Sequence, residues 1–203
     1  MIVGLLGFIG SGKNAAGEIL AEKGFFPLSF AASLKDATSA IFGWDRHLLE
    51  GDTDESRIFR ETVDVFWTKK FGYDITPRII LQQFGTEVCR NHLLSSIWVD
   101  SLERKILQHK NVVITDMRFE NEIEFVHNLG GSIIQIDRKE TRPEWFSYIH
   151  NTSSLQKLGV HVSEYGWYGN GLIDHVISND GNFEELDSRL DILISWLNRN
   201  VVI

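Results

Sequence analysis

The chain is poor in cysteine, with only Cys89, so no intrachain disulfide can form and a reducing compartment suits it. Cys89 falls within an apparent helix and reads as a small buried hydrophobe rather than a catalytic thiol. Positive charge is also scarce: 20 Lys and Arg stand against 28 Asp and Glu, a net charge of −8. That balance argues against a general binder of nucleic acid or anionic membrane, but leaves room for a local basic pocket that takes a small phosphate compound. Long hydrophobic runs are missing as well. The stretch "MIVGLLGFIG" lacks a basic leader, meets Lys13 quickly and is too short to span a membrane, so a buried strand is expected there. Asn151 in "NTS" matches a glycosylation acceptor, which is discarded without a secretion signal. No repeat, low-complexity tract or obvious linker is visible.

What is present is an alternation of short apolar runs with longer helical patterns. The length of 203 residues and 43% apolar content suit a single domain spanning 1–203, with an inserted lid as an option. Strands are predicted at Ile2–Leu6, Phe26–Phe30, "NVVITD", "SIIQID" and "HVIS". Helices are predicted over about Lys13–Lys23, "AASLKDATSAIFG", Glu55–Phe71, "TPRIILQQFGTEVCRNHLL", "WVDSLERKILQHK", "NEIEFVHNLGG" and the closing "NFEELDSRLDILISWLNRN". Thr76 is the expected N-cap of the fourth of these, with Pro77 at its first position. Buried strands separated by helices indicate βαβ units: an α/β fold with a five-stranded parallel sheet flanked by helices.

"GFIGSGKN" nearly completes a phosphate-binding loop between the first strand and the first helix, where backbone N–H groups and the helix dipole can receive phosphates. Gly7, Gly10 and Gly12 let the backbone curl around an anion, and Lys13 would reach the β- and γ-phosphates of ATP, with Ser11 and Asn14 in the same loop. The plainer alternative is a glycine-rich turn with a solvent lysine. The usual Ser or Thr after the lysine is replaced by Asn14, followed by Ala15. No hydroxyl therefore follows the lysine to hold Mg²⁺.

In "VVITDMRFENE" an apolar strand ends in Asp116, which can hold Mg²⁺ or a metal-bound water, and Arg118 could bind phosphate as a planar fork. Otherwise Asp116 caps the next helix and Arg118 faces solvent. Arg78, Gln82, Gln83 and Arg90 follow one helical segment broken by Gly85; Gln82 suits a base edge and the arginines a monophosphate, or the whole is an ordinary polar face. Lys35 and Asp36 open a helix after the second strand, either near an acceptor or as a solvated first turn. In the aromatic segment of about 138–172, Arg138 and Arg142 are candidates to neutralise a transferring phosphoryl group, and His161 and Glu164 to anchor a lid. Trp145, Trp167 and Tyr168 read as packing rather than base stacking, with Trp145–Tyr168 a candidate surface for a homodimer. No zinc spacing is present.

The ordered set "GFIGSGKN", "SLKDA", "PRIILQQFGTE", "VVITDMRFENE", "HVSE" and "DHVISNDG" resembles the deoxynucleoside monophosphate kinases of tailed bacteriophages, over nearly the whole chain. The resemblance implies the P-loop nucleoside monophosphate kinase fold and transfer of the γ-phosphoryl of ATP to a deoxynucleoside monophosphate, with Mg²⁺. It implies small nucleotides as partners, neither nucleic acid nor membrane, and a cytoplasmic location, the host's if the chain is phage-encoded. Carried over, Gly7, Gly10, Ser11, Gly12 and Lys13 would bind ATP. Lys35, Arg78, Gln82, Asp116 and Arg118 would line the acceptor and metal region of about 31–95 and the strand end, and Arg138 would lie near a lid over about 138–172. Asn14 and Ala15 depart from the family's Asp and Thr; an Asn14 contact to Mg²⁺ through water is the expectation, shared with Asp116. Competing readings are a kinase for another small acceptor, of the dephospho-coenzyme A or phosphomevalonate type, a regulatory NTPase, and a nucleotide-binding module without catalysis.

Overall fold

A computed structural model describes residues 1–200, with the side chain of Asn200 outside the description. The chain divides into two compact units, one of 1–29 and 106–203 and one of 30–105. The last three residues of the expected single domain, 201–203, lie outside the described residues.

The first unit is built on five strands: β1 (Ile2–Leu6), β2 (Phe26–Leu28), β3 (Val112–Ile114), β4 (Ser132–Asp137) and β5 (His175–Ser178). They form one sheet in the order β2-β3-β1-β4-β5, with all four pairings parallel. The central strands β1 and β3 are apolar on both faces, as a parallel sheet covered by helices requires, while β4 carries one buried polar residue, Gln135. Val112, Val113 and Ile114 of β3 are successive and all fully buried. The edge strands read differently: Phe26 of β2 and Val176 of β5 are exposed.

Helices α1 (Lys13–Glu22) and α9 (Phe183–Asn200) cover the face that carries Val3, Leu5, Val113, Ile134 and Ile136. Each such side chain contributes about 1.5–3 kcal/mol by leaving water. Helix α7 (Glu120–Asn128) packs on the opposite face, where a Cβ on Gly131 would press on both Val126 and Ile2. The chain therefore leaves β1 toward one face and β3 toward the other. That divergence opens a crevice at the carboxyl ends of two adjacent strands, the usual place for a ligand in an open α/β sheet. The glycine loop follows β1 and Asp116 follows β3, so both lie at this crevice.

The segment 138–172 contains only short 3₁₀ turns and the six-residue α8 (Thr152–Lys157). Its aromatics pack on Phe8 of the glycine loop: the centroids of Trp145, Phe146, Trp167 and Tyr168 lie 4.9–5.7 Å from it. Trp167 is fully enclosed, and Trp145, Phe146 and Tyr168 are half-buried around the same ring.

The second unit is helical: α2 (Ala32–Phe42), α3 (Asp54–Glu61), α4 (Val65–Phe71), α5 (Pro77–Gln82) and α6 (Ile97–Ile106), the last running to its boundary. Two expectations are corrected here. The single helix over Glu55–Phe71 is two, because Asp64 caps a new one: its carboxylate accepts from the Trp67 N–H at 3.0 Å and from the Trp44 indole at 2.8 Å. The long helix from Thr76 changes type: after α5, Gln83–Leu93 winds as a π-helix. Gly85 lies within it, where a side chain would strike Leu34, and its carbonyl accepts from the Trp98 indole at 3.0 Å. Thr76 is the N-cap as expected, accepting from Ile79 N, and Pro77 opens the helix. Cys89 is buried in the π-helix, and burial raises its thiol pKa. Among the described residues no helix is long and apolar enough to cross a membrane.

Candidate active site

The glycine loop takes its shape from backbone torsions that only glycine adopts cheaply: φ is 151° at Gly7, 79° at Gly10 and 99° at Gly12. Space forbids substitution too, since a Cβ on Gly7 would collide with the Ile136 carbonyl and the Ser11 hydroxyl, and one on Gly12 with the Asn179 amide. Gly12 is the N-cap of α1, and no side chain caps this helix. Its first N–H groups are thus left for an external acceptor, with the positive end of the helix dipole behind them. Ser11 is buried and its hydroxyl has no hydrogen-bond partner. These features fit phosphate oxygens, which would supply the missing acceptors.

Lys13 folds back over the loop, with Nζ donating to Gly7 O at 2.6 Å and Phe8 O at 2.9 Å. Burial and then the nearby Arg118 charge lower its pKa to about 8, against the opposing pull of Glu164 and Asp116. Lys13 thus feels the charges of Arg118, Glu164 and Asp116. Asp116 is half-buried and accepts from the Ser29 hydroxyl at 2.7 Å, at the end of β2. Arg118 pairs with Glu164 at 3.2 Å and donates to Ser163 O at 3.4 Å. Its backbone N–H and that of Phe119 are held by the buried Glu122 carboxylate, which fixes the start of α7.

Asn14 occupies the second position of α1 and is exposed. Among the described residues no three His, Cys, Asp or Glu gather as a ready-made metal cage. That composition still fits Mg²⁺, which takes one or two carboxylates and completes its shell with water and phosphate. Asp116, half-buried just after β3, is one carboxylate of this neighbourhood. Arg138 sits where β4 ends, half-exposed, with Nε buried and unpartnered and its guanidinium 3.9 Å from Glu140. Arg142 is committed elsewhere, to Asp137 at 2.6 Å and over the Phe146 ring.

The remaining candidates all belong to the second unit. Lys35 pairs with Glu50, which Arg46 also engages while holding Asp36. Burial would raise the Glu50 pKa, but the two cations prevail and hold it below the usual carboxylate value. Arg78 pairs with Glu61 at 3.0 Å, and Arg90 donates to Ser95 O at 3.4 Å. Gln82 is half-buried at the end of α5, and Gln83 accepts from the Tyr73 hydroxyl at 3.1 Å.

Ser29, Glu122 and Asn179 are site residues that motif reading passes over. Asn179 had a signal, the string "ISNDG", but no pattern to say what it touches.

The model of the deoxynucleotide monophosphate kinase family matches residues 55–190. The match begins after the glycine loop, so the loop is read from its own geometry. A protein of Acanthamoeba polyphaga mimivirus, provisionally named a deoxynucleotide monophosphate kinase, is 35% identical over 153 residues, which is 68% of this chain and 74% of that protein. Among solved structures, a shikimate kinase from Aquifex aeolicus vf5 covers 98% of this chain and 99% of its own at 13% identity and a TM-score of 0.49. A dephospho-CoA kinase from Campylobacter jejuni covers 96% and 95% at 16% identity and a TM-score of 0.46. At such scores these two likenesses add nothing to the fold read from the sheet and loop. The family match and the viral relative are sufficient: this chain belongs to the deoxynucleotide monophosphate kinase family and is a kinase.

Proposed function

We propose that the chain transfers the γ-phosphoryl group of ATP to a deoxynucleoside monophosphate, giving the diphosphate for DNA precursor supply. One observation carries the donor half: three positive-φ glycines lead into an uncapped helix N-terminus with Lys13 beside it. The family supports the acceptor half.

In this reading Gly7, Gly10, Ser11, Gly12 and Lys13 bind the ATP phosphates. Bound Mg²⁺ supplies charge neutralisation on those phosphates. Asp116 would hold the ion or its waters, and Asn14 would reach a metal-bound water. Arg118 and Arg138 neutralise charge around the transferred group, a task of positioning and electrostatics rather than covalent chemistry. Lys35, Arg78, Gln82 and Arg90 hold the acceptor monophosphate and its base, so 31–95 is the acceptor-binding region. The 138–172 segment excludes water from the transfer, which prevents wasteful hydrolysis. The lone buried Cys89 suits the reducing cytoplasm expected for such an enzyme.

The test is a coupled assay of ATP against each common deoxy- and ribonucleoside monophosphate. Deoxynucleotide-dependent ADP release, abolished in Lys13→Ala, is the expected result. ATP consumption independent of any monophosphate, or full transfer by Lys13→Ala, would rule the assignment out.

A further inference from the structure

The turn after β5 reaches back to the glycine loop. Asn179 is buried, and its side-chain Nδ2 donates to the Ser11 carbonyl at 2.9 Å, across 168 positions of sequence. Its backbone N–H donates to Asp137 O at 2.7 Å, where β4 ends. One residue thus ties the loop to the sheet beneath it. The loop is shaped to receive it: besides its positive φ, Gly12 has no room for a Cβ against the Asn179 amide.

The peptide between Ser11 and Gly12 is planar and trans, so its C=O and N–H point in opposite directions. With the carbonyl turned to Asn179, the Gly12 N–H is turned the other way. Gly12 is the N-cap of α1, and no side chain takes up the donors there. An N–H fixed before the ligand arrives costs no reorganisation when the ligand binds.

We propose that Asn179 is a positioning residue for the phosphate donor: its amide clamps the Ser11–Gly12 peptide so that the Gly12 N–H is presented to a bound phosphate. The proposal rests on the reading of Gly7–Lys13 as the ATP site. Without the amide the peptide is free to rotate, and the Ser11 carbonyl loses its partner. The loss falls on ATP and not on the acceptor.

The test compares Asn179→Leu and Asn179→Ser with the unaltered enzyme. Leucine is close to asparagine in size but has no donor; serine keeps a shorter one. Asn179→Leu is expected to raise KM for ATP about tenfold, the scale of one lost hydrogen bond, with KM for the monophosphate within about twofold. Asn179→Ser falls between. Melting curves with and without ATP read the same loss without turnover, as a smaller ATP-induced rise in Tm. If Asn179→Leu does not fold, the KM and melting shift of Asn179→Ser decide. A wild-type KM for ATP in a folded Asn179→Leu, or an equal rise in both KM values, overturns the proposal and indicates packing alone. An unaltered enzyme that neither binds nor uses ATP overturns the donor assignment itself, which the first assay reveals separately.

Discussion

Lys13 Nζ lies 2.6 Å from the carbonyl oxygen of Gly7, so the loop's own backbone holds the cation that a phosphate would take. Burial and Arg118 bring its pKa down to about 8 from 10.5. Between those two values the unfolded chain carries a proton that the folded chain has lost. Lys13 therefore makes folding stability rise with pH across that window; below it the cost of burying the charge is fully present. Phosphate oxygens reverse the balance by favouring the ammonium form. ATP binding at about pH 9 should accordingly take up close to one proton. Calorimetry in two buffers of different ionisation enthalpy measures it, and Lys13→Arg should show none. Binding without proton uptake by the unaltered protein would sink this account.

The Arg118–Glu164 pair sets up a second expectation. Arg118→Ala should lower kcat by about 10²–10³, the scale for removing one donor to developing charge. Glu164→Gln leaves the arginine in place but loosens it, so a fall of roughly tenfold is expected, mainly in kcat. The Arg118 side chain is 39% exposed, so the pair contributes only about 0–1 kcal/mol to folding and the Tm should barely change. A large Tm loss with normal kcat would make the pair structural. Steady-state kinetics beside thermal melts separates the two outcomes.

The sheet is the part of this molecule that local pattern announces. Ile2–Leu6, Ser132–Asp137 and His175–Ser178 are strands in the structure at the limits the sequence predicts. The apolar periodicity over Glu55–Phe71 hid a break, because Asp64 satisfies the cap of α4 and a tryptophan 20 residues away at once. The π-helix at Gln83–Leu93 involves Gly85, whose missing side chain admits Leu34 and whose carbonyl meets the Trp98 indole. Neither relationship is local in sequence. The candidate site divides in the same way. Gly7–Lys13 and Asp116 follow from motif and strand end, but the partner that holds Arg118 comes from 46 residues away and the partner that holds Ser11 from 168 away.

Asp64 gives a stability test independent of catalysis. Burial would raise its pKa, yet hydrogen bonds from the Trp44 indole and the Trp67 and Phe66 N–H groups outweigh burial and lower it. A carboxylate with a lowered folded pKa contributes stability that is present above its unfolded value of about 3.9 and lost as pH falls through the folded value. Asp64→Ala should cost about 1–2 kcal/mol near pH 7, by loss of the cap. Asp64→Asn, which can still accept, should cost less. Urea unfolding of the three proteins at neutral pH and at about pH 3 measures both effects. The gap between the unaltered protein and Asp64→Ala should narrow in acid, and a gap that stays constant with pH would show that the charge is irrelevant.

Metal dependence offers the sharpest test of Asn14. No hydroxyl follows Lys13 to ligate Mg²⁺ directly, Asn14 is exposed at the second position of α1, and Asp116 is the half-buried carboxylate after β3. If Asp116 carries most of the contact, Asp116→Asn should lower kcat by about 10²-fold or more, a loss on the scale of one electrostatic group. If Asn14 reaches the metal through water, Asn14→Ala removes only that contact, so the Mg²⁺ concentration for half-maximal rate should rise about three- to tenfold while kcat at saturating Mg²⁺ changes little. Asn14→Thr restores a hydroxyl and should lower that concentration below the original. Chelation with EDTA should abolish transfer in all four proteins, and added Mg²⁺ should restore it. An Asn14→Ala enzyme with an unchanged Mg²⁺ titration would refute the water-mediated contact and leave Asp116 as the metal residue.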